Sequence, residues 1–346
     1  MAKPRIAILA LGGTIAMVQG EAGVKPGLGG EELVAAVPEL SAIAEVSAHT
    51  FSKVCSYDLS VDSVLELAQH IQTLAATRSA DGVIVAQGTD TIEETAFLLD
   101  LVLDVAIPVI VIGAMRHPLL TSPDGPGNLL AATRVASDPE VRRLAPELGV
   151  LVVMLDGIHT ALDVVKANSH RIDAFASPHG GPLGVLIEAR VRLGSLPLRP
   201  YKPALRTVLA NQSCASLRAH PRSVALLTLA LGEPGGLLDA MLKSADHLGY
   251  HGLVLAAMGG GHAPASLMLP IAALAAKLPV AVAGRMGNGY LLAGTYESAG
   301  AEIDMARRGV IAAGRLHPLK ARLLLDVLLR AGADPATIAA IFATLN

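Results

Sequence analysis

The sequence predicts an α/β fold in two parts, a larger N-terminal doubly wound, mainly parallel sheet domain and a smaller C-terminal α/β domain. Three observations carry that expectation. Short apolar, β-branched runs alternate with amphipathic stretches in both halves of the chain. The alternation fails around residues 190 to 221, where Pro197, Pro200 and Pro203 break any period. A length of 346 residues is long for one core and comfortable for two. The expected boundaries are an N-terminal domain over 1–193, a connection over 194–217 and a C-terminal domain over 218–346.

Taken in order, the first strands are RIAILAL (5–11), GVIVAQG (82–88), PVIVIGA (108–114) and GVLVVML (149–155). Each is apolar on both faces, as parallel strands covered by helices must be. Helical spacing appears between them in SVLELAQHIQTLAA (63–76) and IEETAFLLDLVLD (92–104). The rhythm resumes with SVALLTLAL (223–231), GLLDAMLKSADHL (236–248), GLVLAAM (252–258) and PVAVAGR (279–285). A helix over LKARLLLDVLLRAG (319–332) and a short one after Asp334 close the chain.

Composition narrows the function classes. The chain is 52% hydrophobic with a mean hydropathy of +0.52, so a membrane span has to be tested. The best candidate, FLLDLVLDVAIPVIVIGAM (97–115), is interrupted by Asp100, Asp104 and Pro108 and reads as helix, turn and strand. The N-terminus runs directly into a strand, without a hydrophobic segment followed by a cleavage site. A cytoplasmic protein that does not act on membranes is the expectation. Only 16% of residues are charged, which favours burying surface in an oligomer. A net charge of −3, no basic cluster and 3% aromatic residues argue against nucleic-acid binding. Cys55 and Cys214 give no disulfide framework and fit a reducing compartment.

In an open α/β sheet, ligands bind beyond the carboxyl ends of the strands. Two such ends carry hydroxyls, Gly12-Gly13-Thr14 and Gly88-Thr89-Asp90-Thr91. Helix capping accounts for part of the second, because Asp90 with Glu93 or Thr91 with Glu94 fits a helix start. Neither glycine turn matches a phosphate-binding loop. Together the paired threonines suggest a small polar pocket without naming a reaction. His247 and His251 are four residues apart, but no acid lies between them as a zinc helix requires, so no metal is expected. A serine-hydrolase elbow is missing too.

The blocks ILALGGTIA (8–16), QGTDTIEETA (87–96), VIGAMR (111–116), DGPGNL (124–129), DVVKANS (163–169) and AEIDMARRGVIAAGRLHPLKARLLL (301–325) are ordered along the whole chain. In these the sequence resembles the bacterial-type L-asparaginases. The resemblance implies hydrolysis of the side-chain amide of L-asparagine to L-aspartate and ammonia, with glutamine as a slower substrate and no cofactor. It implies a homodimer or homotetramer with active sites shared between subunits. It makes Thr14 the nucleophile of an acyl-enzyme, with Thr89, Asp90 and Lys166 as the proton-handling set. Substrate-binding roles fall to Gly13, Ser56, Gly88, Thr89, Asp90 and Glu302, the last reaching a neighbouring subunit's site. Glu93, Glu94 and Thr95 are left to cap and pack the helix.

Three departures accompany the resemblance. The loop MVQGEAGVKPGLGGEEL (17–33) lacks the tyrosine that the family often places there, the aligned position being near Gly23. Its glycines suit a closing lid, and Tyr57 or Tyr290 could supply the hydroxyl. Gln87 replaces a common histidine, and Gly260 stands where some members carry asparagine. Two alternatives stay open. One is an amino-acid-binding or sensing protein without effective catalysis. The other is an ammonia-supplying amidotransferase subunit, disfavoured because that form carries an extra domain ahead of the nucleophile motif.

Overall fold

Arg5–Gly12 form strand β1, and every side chain after Arg5 is buried. Successive side chains of a strand point to opposite faces, so such a strand needs cover on both. The computed structural model describes residues 2–244 and 248–346. It divides into two units, Met1–Leu198 and Arg199–Asn346.

In the first unit β1 leads into a hairpin of β2 (Met17–Gln19) and β3 (Val24–Pro26). There follow β4 (Glu45–Val54), β5 (Gly82–Ala86), β6 (Val109–Ile112), β7 (Val150–Met154) and β8 (Gly157–Thr160). A ribbon of β9 (Val165–Lys166) and β10 (Phe175–Ala176) precedes β11 (Gly184–Ile187) and β12 (Arg190–Leu193). Eight strands make one sheet in the order β12-β11-β8-β7-β6-β5-β1-β4. From β4 to β7 the neighbours are parallel, and β8, β11 and β12 extend the sheet antiparallel.

Ile6, Ile8 and Ala10 share a core with Ile84, Ile110 and Leu151 and with Leu129, Ala132 and Val135 of helix Gly125–Ser137. On the other side, helix Ile92–Val102 packs on β6 and β7 with helix Val61–Ala76 beside it. Buried Asp100 accepts from the Val150 N–H at 2.9 Å, fastening the helix to the start of β7. The four strands read from the sequence are all present. The edge strand β4 was not read, because its exposed Glu45, Ser47, His49 and Thr50 hide the apolar signal.

The second unit holds a parallel sheet of β13 (Val224–Thr228), β14 (Gly252–Ala257), β15 (Val280–Gly284) and β16 (Ile311–Ala312), in that order. Helix Pro318–Arg330 packs on β13, β14 and β15. Leu238, Met241, Ile271 and Leu274 join Leu253, Leu255, Val280 and Val282 in a separate core. Within 194–217, read as a connection, the division falls at Leu198, and helices Lys202–Leu209 and Cys214–Ala219 follow. Tyr201 and Leu205 there are fully buried. The helix read over 236–248 is described as Gly236–Lys243, and residues 245–247 lie outside the described residues. Among the described residues no helix is long and apolar enough to cross a membrane.

Candidate active site

The site is built where β1 and β5 end side by side. Gly12 (φ 107°) and Gly13 (φ 77°) turn the chain in a region that disfavours side chains, and Thr14 starts a single helical turn. A Cβ on Gly13 would lie 2.1 Å from both the backbone N and Cα of Gly88. The two strand-end turns are therefore pressed together, backbone on backbone. A Cβ on Gly88 would come 2.7 Å from Ser56 Oγ. Thr89 and Ser56 are buried, and Thr14 is half-buried.

Lys166 approaches from the β9–β10 ribbon. Its Nζ donates to Thr89 Oγ1 at 3.0 Å and to Asp90 Oδ1 at 2.5 Å. The lysine side chain is 13% exposed while that of Asp90 is 56% exposed, so a dry amine meets a wet carboxylate. A hydroxyl bonded to an amine that is itself paired with a carboxylate is an arrangement able to pass protons. The backbone N–H of Lys166 donates to Glu93 Oε2 at 3.2 Å, and Glu93 is buried. The capping role expected for Glu93 is thus incomplete: its carboxylate holds the strand that carries the lysine.

Ser56 lies in a single turn, Ser56–Asp58. Its Oγ accepts from the Asp90 N–H at 3.2 Å, and its carbonyl accepts from Thr91 Oγ1 at 3.0 Å. Beneath them Gln87, fully buried, donates from Nε2 to Thr91 Oγ1 and to the Gly88 carbonyl. Thr91 and Gln87 were not singled out as site residues, since their contribution is to hold neighbouring turns. Tyr57, within the Ser56–Asp58 turn, is exposed. A hydrogen bond with Cys55 pushes its hydroxyl pKa up, with the charges of Asp58 and Asp90 adding in the same direction. The expected lid segment is a hairpin whose tip is closed by Gly20 N–H donating to the Gly23 carbonyl at 2.7 Å.

Glu302 belongs to the second unit, at the start of helix Glu302–Arg307. Its Oε1 accepts from the backbone N–H groups of Thr295 and Tyr296, both at 2.6 Å, and its Oε2 meets His262 Nε2 at 3.2 Å. Burial pushes its carboxyl up, but the N–H donors of Tyr296 and Thr295 together with His262 outweigh that and hold it below the ordinary range. It is not the solvated helix-start charge that its position in the sequence allows. Tyr290, also in this unit, is exposed. Gly13, Ser56, Gly88, Thr89, Asp90 and Lys166 thus form one cluster, and half-buried Thr14 follows Gly13 directly in the chain, while Glu302 forms a second, local network.

Among the described residues no group of three or more His, Cys, Asp or Glu side chains is placed to hold a metal ion. His251 is occupied locally, its N–H donating to the Ser223 carbonyl at 2.7 Å and its Nδ1 accepting from the Ser223 N–H at 3.3 Å. His247 lies outside the described residues.

A doubly wound sheet with a threonine–lysine–carboxylate cluster at its strand ends, joined to a second parallel α/β unit, defines the class of protein. Residues 5–198 match the family description Asparaginase, N-terminal, and residues 223–342 match Glutaminase/Asparaginase C-terminal domain. The chain belongs to the asparaginase family. It is 35% identical to L-asparaginase 2 of Escherichia coli, over 99% of this chain and 93% of that protein. It is 31% identical to a glutaminase-asparaginase of Pseudomonas fluorescens, over 97% of this chain and 89% of the relative. Among solved structures, a probable cytoplasmic L-asparaginase from Campylobacter jejuni aligns with a TM-score of 0.85 and 30% identity, over 99% of this chain and all of that one.

Proposed function

We propose that this protein is an L-asparaginase, hydrolysing L-asparagine to L-aspartate and ammonia through an acyl-enzyme on Thr14, with weaker activity on glutamine. The observation that carries the reading is the bridge from Lys166 Nζ to both Thr89 Oγ1 and Asp90, on the turn pressed against Gly13-Thr14. In acylation Thr14 Oγ1 bonds to the side-chain carbonyl carbon and the C–N bond breaks. The hydroxyl proton travels along Thr89 and Lys166 to the nitrogen, which leaves as ammonia. Water then adds to the ester carbon, a proton returns along the same path to Thr14 Oγ1, and aspartate is released. Backbone N–H groups near Gly13-Thr14 and Thr89 serve the developing oxyanion.

At the substrate's other end, Asp90 receives the ammonium and Ser56 the carboxylate, with Gly88 leaving room. Glu302 joins the ammonium site of a neighbouring subunit in a homodimer or homotetramer. The low charged fraction and the exposed Leu231 and Leu269 support association. A cytoplasmic location is consistent with the Campylobacter jejuni neighbour's description.

The test is ammonia release from asparagine paired with a thermal shift by aspartate. Thr14→Ala is expected to abolish turnover while the protein stays folded and is still stabilised by the ligand. Wild-type turnover in that variant would remove the nucleophile. Ligand-induced stabilisation without turnover in the wild-type protein would favour a sensor, a reading motivated by the tyrosine missing from the β2–β3 hairpin.

A further inference from the structure

The proposed proton path depends on a lysine carried by a strand of two residues. β9 pairs with β10 through Val165–Ala176 and Lys166–Phe175, and this ribbon is separate from the eight-stranded sheet. A two-residue pairing is too short to be rigid by itself. Something else must hold Lys166 at hydrogen-bond distance from Thr89.

One tie is the bond from the Lys166 N–H to Glu93. The second starts at Ser177, the residue directly after β10. Its Oγ lies 2.9 Å from Nδ1 of His159, which sits on β8 opposite Val152 of β7. Ser177 and His159 are 7% and 6% exposed, so the bond is shielded from competing water. Burial presses His159 down to about 4, leaving a neutral ring at working pH. A neutral imidazole has one N–H and one lone pair, and a hydroxyl pairs with either tautomer. The ring is also boxed in, since a Cβ on Gly157 would come 2.9 Å from its Nε2. Between β8 and β9 the chain is stiffened by Thr160, whose hydroxyl meets Asp163 Oδ2 and whose carbonyl accepts from the Val164 N–H.

We propose that the buried His159–Ser177 pair is a positioning device for the reaction: it clamps the β9–β10 ribbon to β8 so that Lys166 Nζ reaches both Thr89 and Asp90. The inference rests on the role given to Lys166 above. His159 and Ser177 act through the lysine and not on the substrate.

Because a misplacement of about 1 Å can cost on the order of a hundredfold in rate, Ser177→Ala is expected to lower kcat about ten- to a hundredfold with KM for asparagine unchanged. His159→Leu should fall similarly. His159→Asn, which keeps a polar group near the place of Nδ1, should retain most of the turnover. Thermal unfolding and circular dichroism identify any variant that does not fold; Ser177→Ala and His159→Asn carry the comparison if His159→Leu is lost. The decisive arm adds Ser177→Ala to Lys166→Met. A device that works through the lysine costs nothing further once the lysine is gone. Wild-type kcat in Ser177→Ala beside a crippled Lys166→Met overturns the clamp alone, as does an equal fold-loss in both backgrounds. Wild-type turnover in Lys166→Met overturns the lysine's role and the clamp with it.

Discussion

Lys166 makes three bonds with different purposes. Two from Nζ engage the groups proposed for chemistry, and one from its backbone N–H fixes the strand to Glu93. Lys166→Met keeps the backbone bond and removes the other two. Turnover is expected to fall by about 10²–10⁴, the usual worth of a positioned proton-transfer group, while aspartate still binds in a calorimetric titration. A variant with normal turnover would place the proton path elsewhere. At this scale the sequence was readable only where the groups are contiguous. Thr14, Thr89 and Asp90 stand directly at the strand ends and invited attention on their own, whereas Lys166 entered through the resemblance. Glu93 was legible only as a helix cap, and His159 and Ser177 gave no signal, because the partners concerned lie 73 and 18 residues away in the chain and follow no local pattern.

The turns after β1 and β5 are the elements on which the site depends. Gly13 combines a positive φ with a backbone neighbour where its Cβ would sit, so Gly13→Ala meets strain and a clash together. The strain alone costs about 1–3 kcal/mol, and urea unfolding should register it along with loss of turnover. Unchanged stability would mean that the two turns can separate freely. A contrasting element lies far along the chain. Asp334 caps the C-terminal helix Pro335–Ala343 through the Thr337 N–H at 2.7 Å, and Asp334→Ala should lower stability by about 1 kcal/mol. Ammonia release should be unaffected there, and a loss would show that this helix communicates with the site. Strands with both faces buried, such as β1 and β5, were legible because nothing polar interrupts them. β4, β11 and β12, partly exposed, and the two-residue strands were not, since such segments carry little periodic signal, and in β8 the buried His159 and Thr160 interrupt the apolar run.

Stability against pH is a property of the whole molecule. Burial depresses His159 in the first unit, and burial together with the charge of Lys320 depresses His317 in the second, each from 6.5 to about 4. Between those values the unfolded chain takes up protons that the folded chain refuses. The stabilisation is complete above pH 6.5 and is lost as pH falls toward 4, on the order of 3 kcal/mol for each histidine. Carboxylates held low, among them Asp81 beside Arg5, add their loss only at lower pH, below their ordinary 3.8. Urea unfolding at pH 7 and at pH 4.5 should therefore show a marked acid loss, smaller in His159→Asn. Equal losses in the two proteins would contradict a neutral buried ring at that position.

The central claim, a covalent ester on the threonine that follows β1, is tested most directly by rapid acid quenching of the enzyme with asparagine, followed by peptide mass mapping. The expected result is an aspartyl adduct on Thr14, accumulating further in Lys166→Met if that variant acylates faster than it hydrolyses, with the peptide carrying Thr89 unmodified. An adduct on Thr89, or steady turnover in Thr14→Ala, would contradict it.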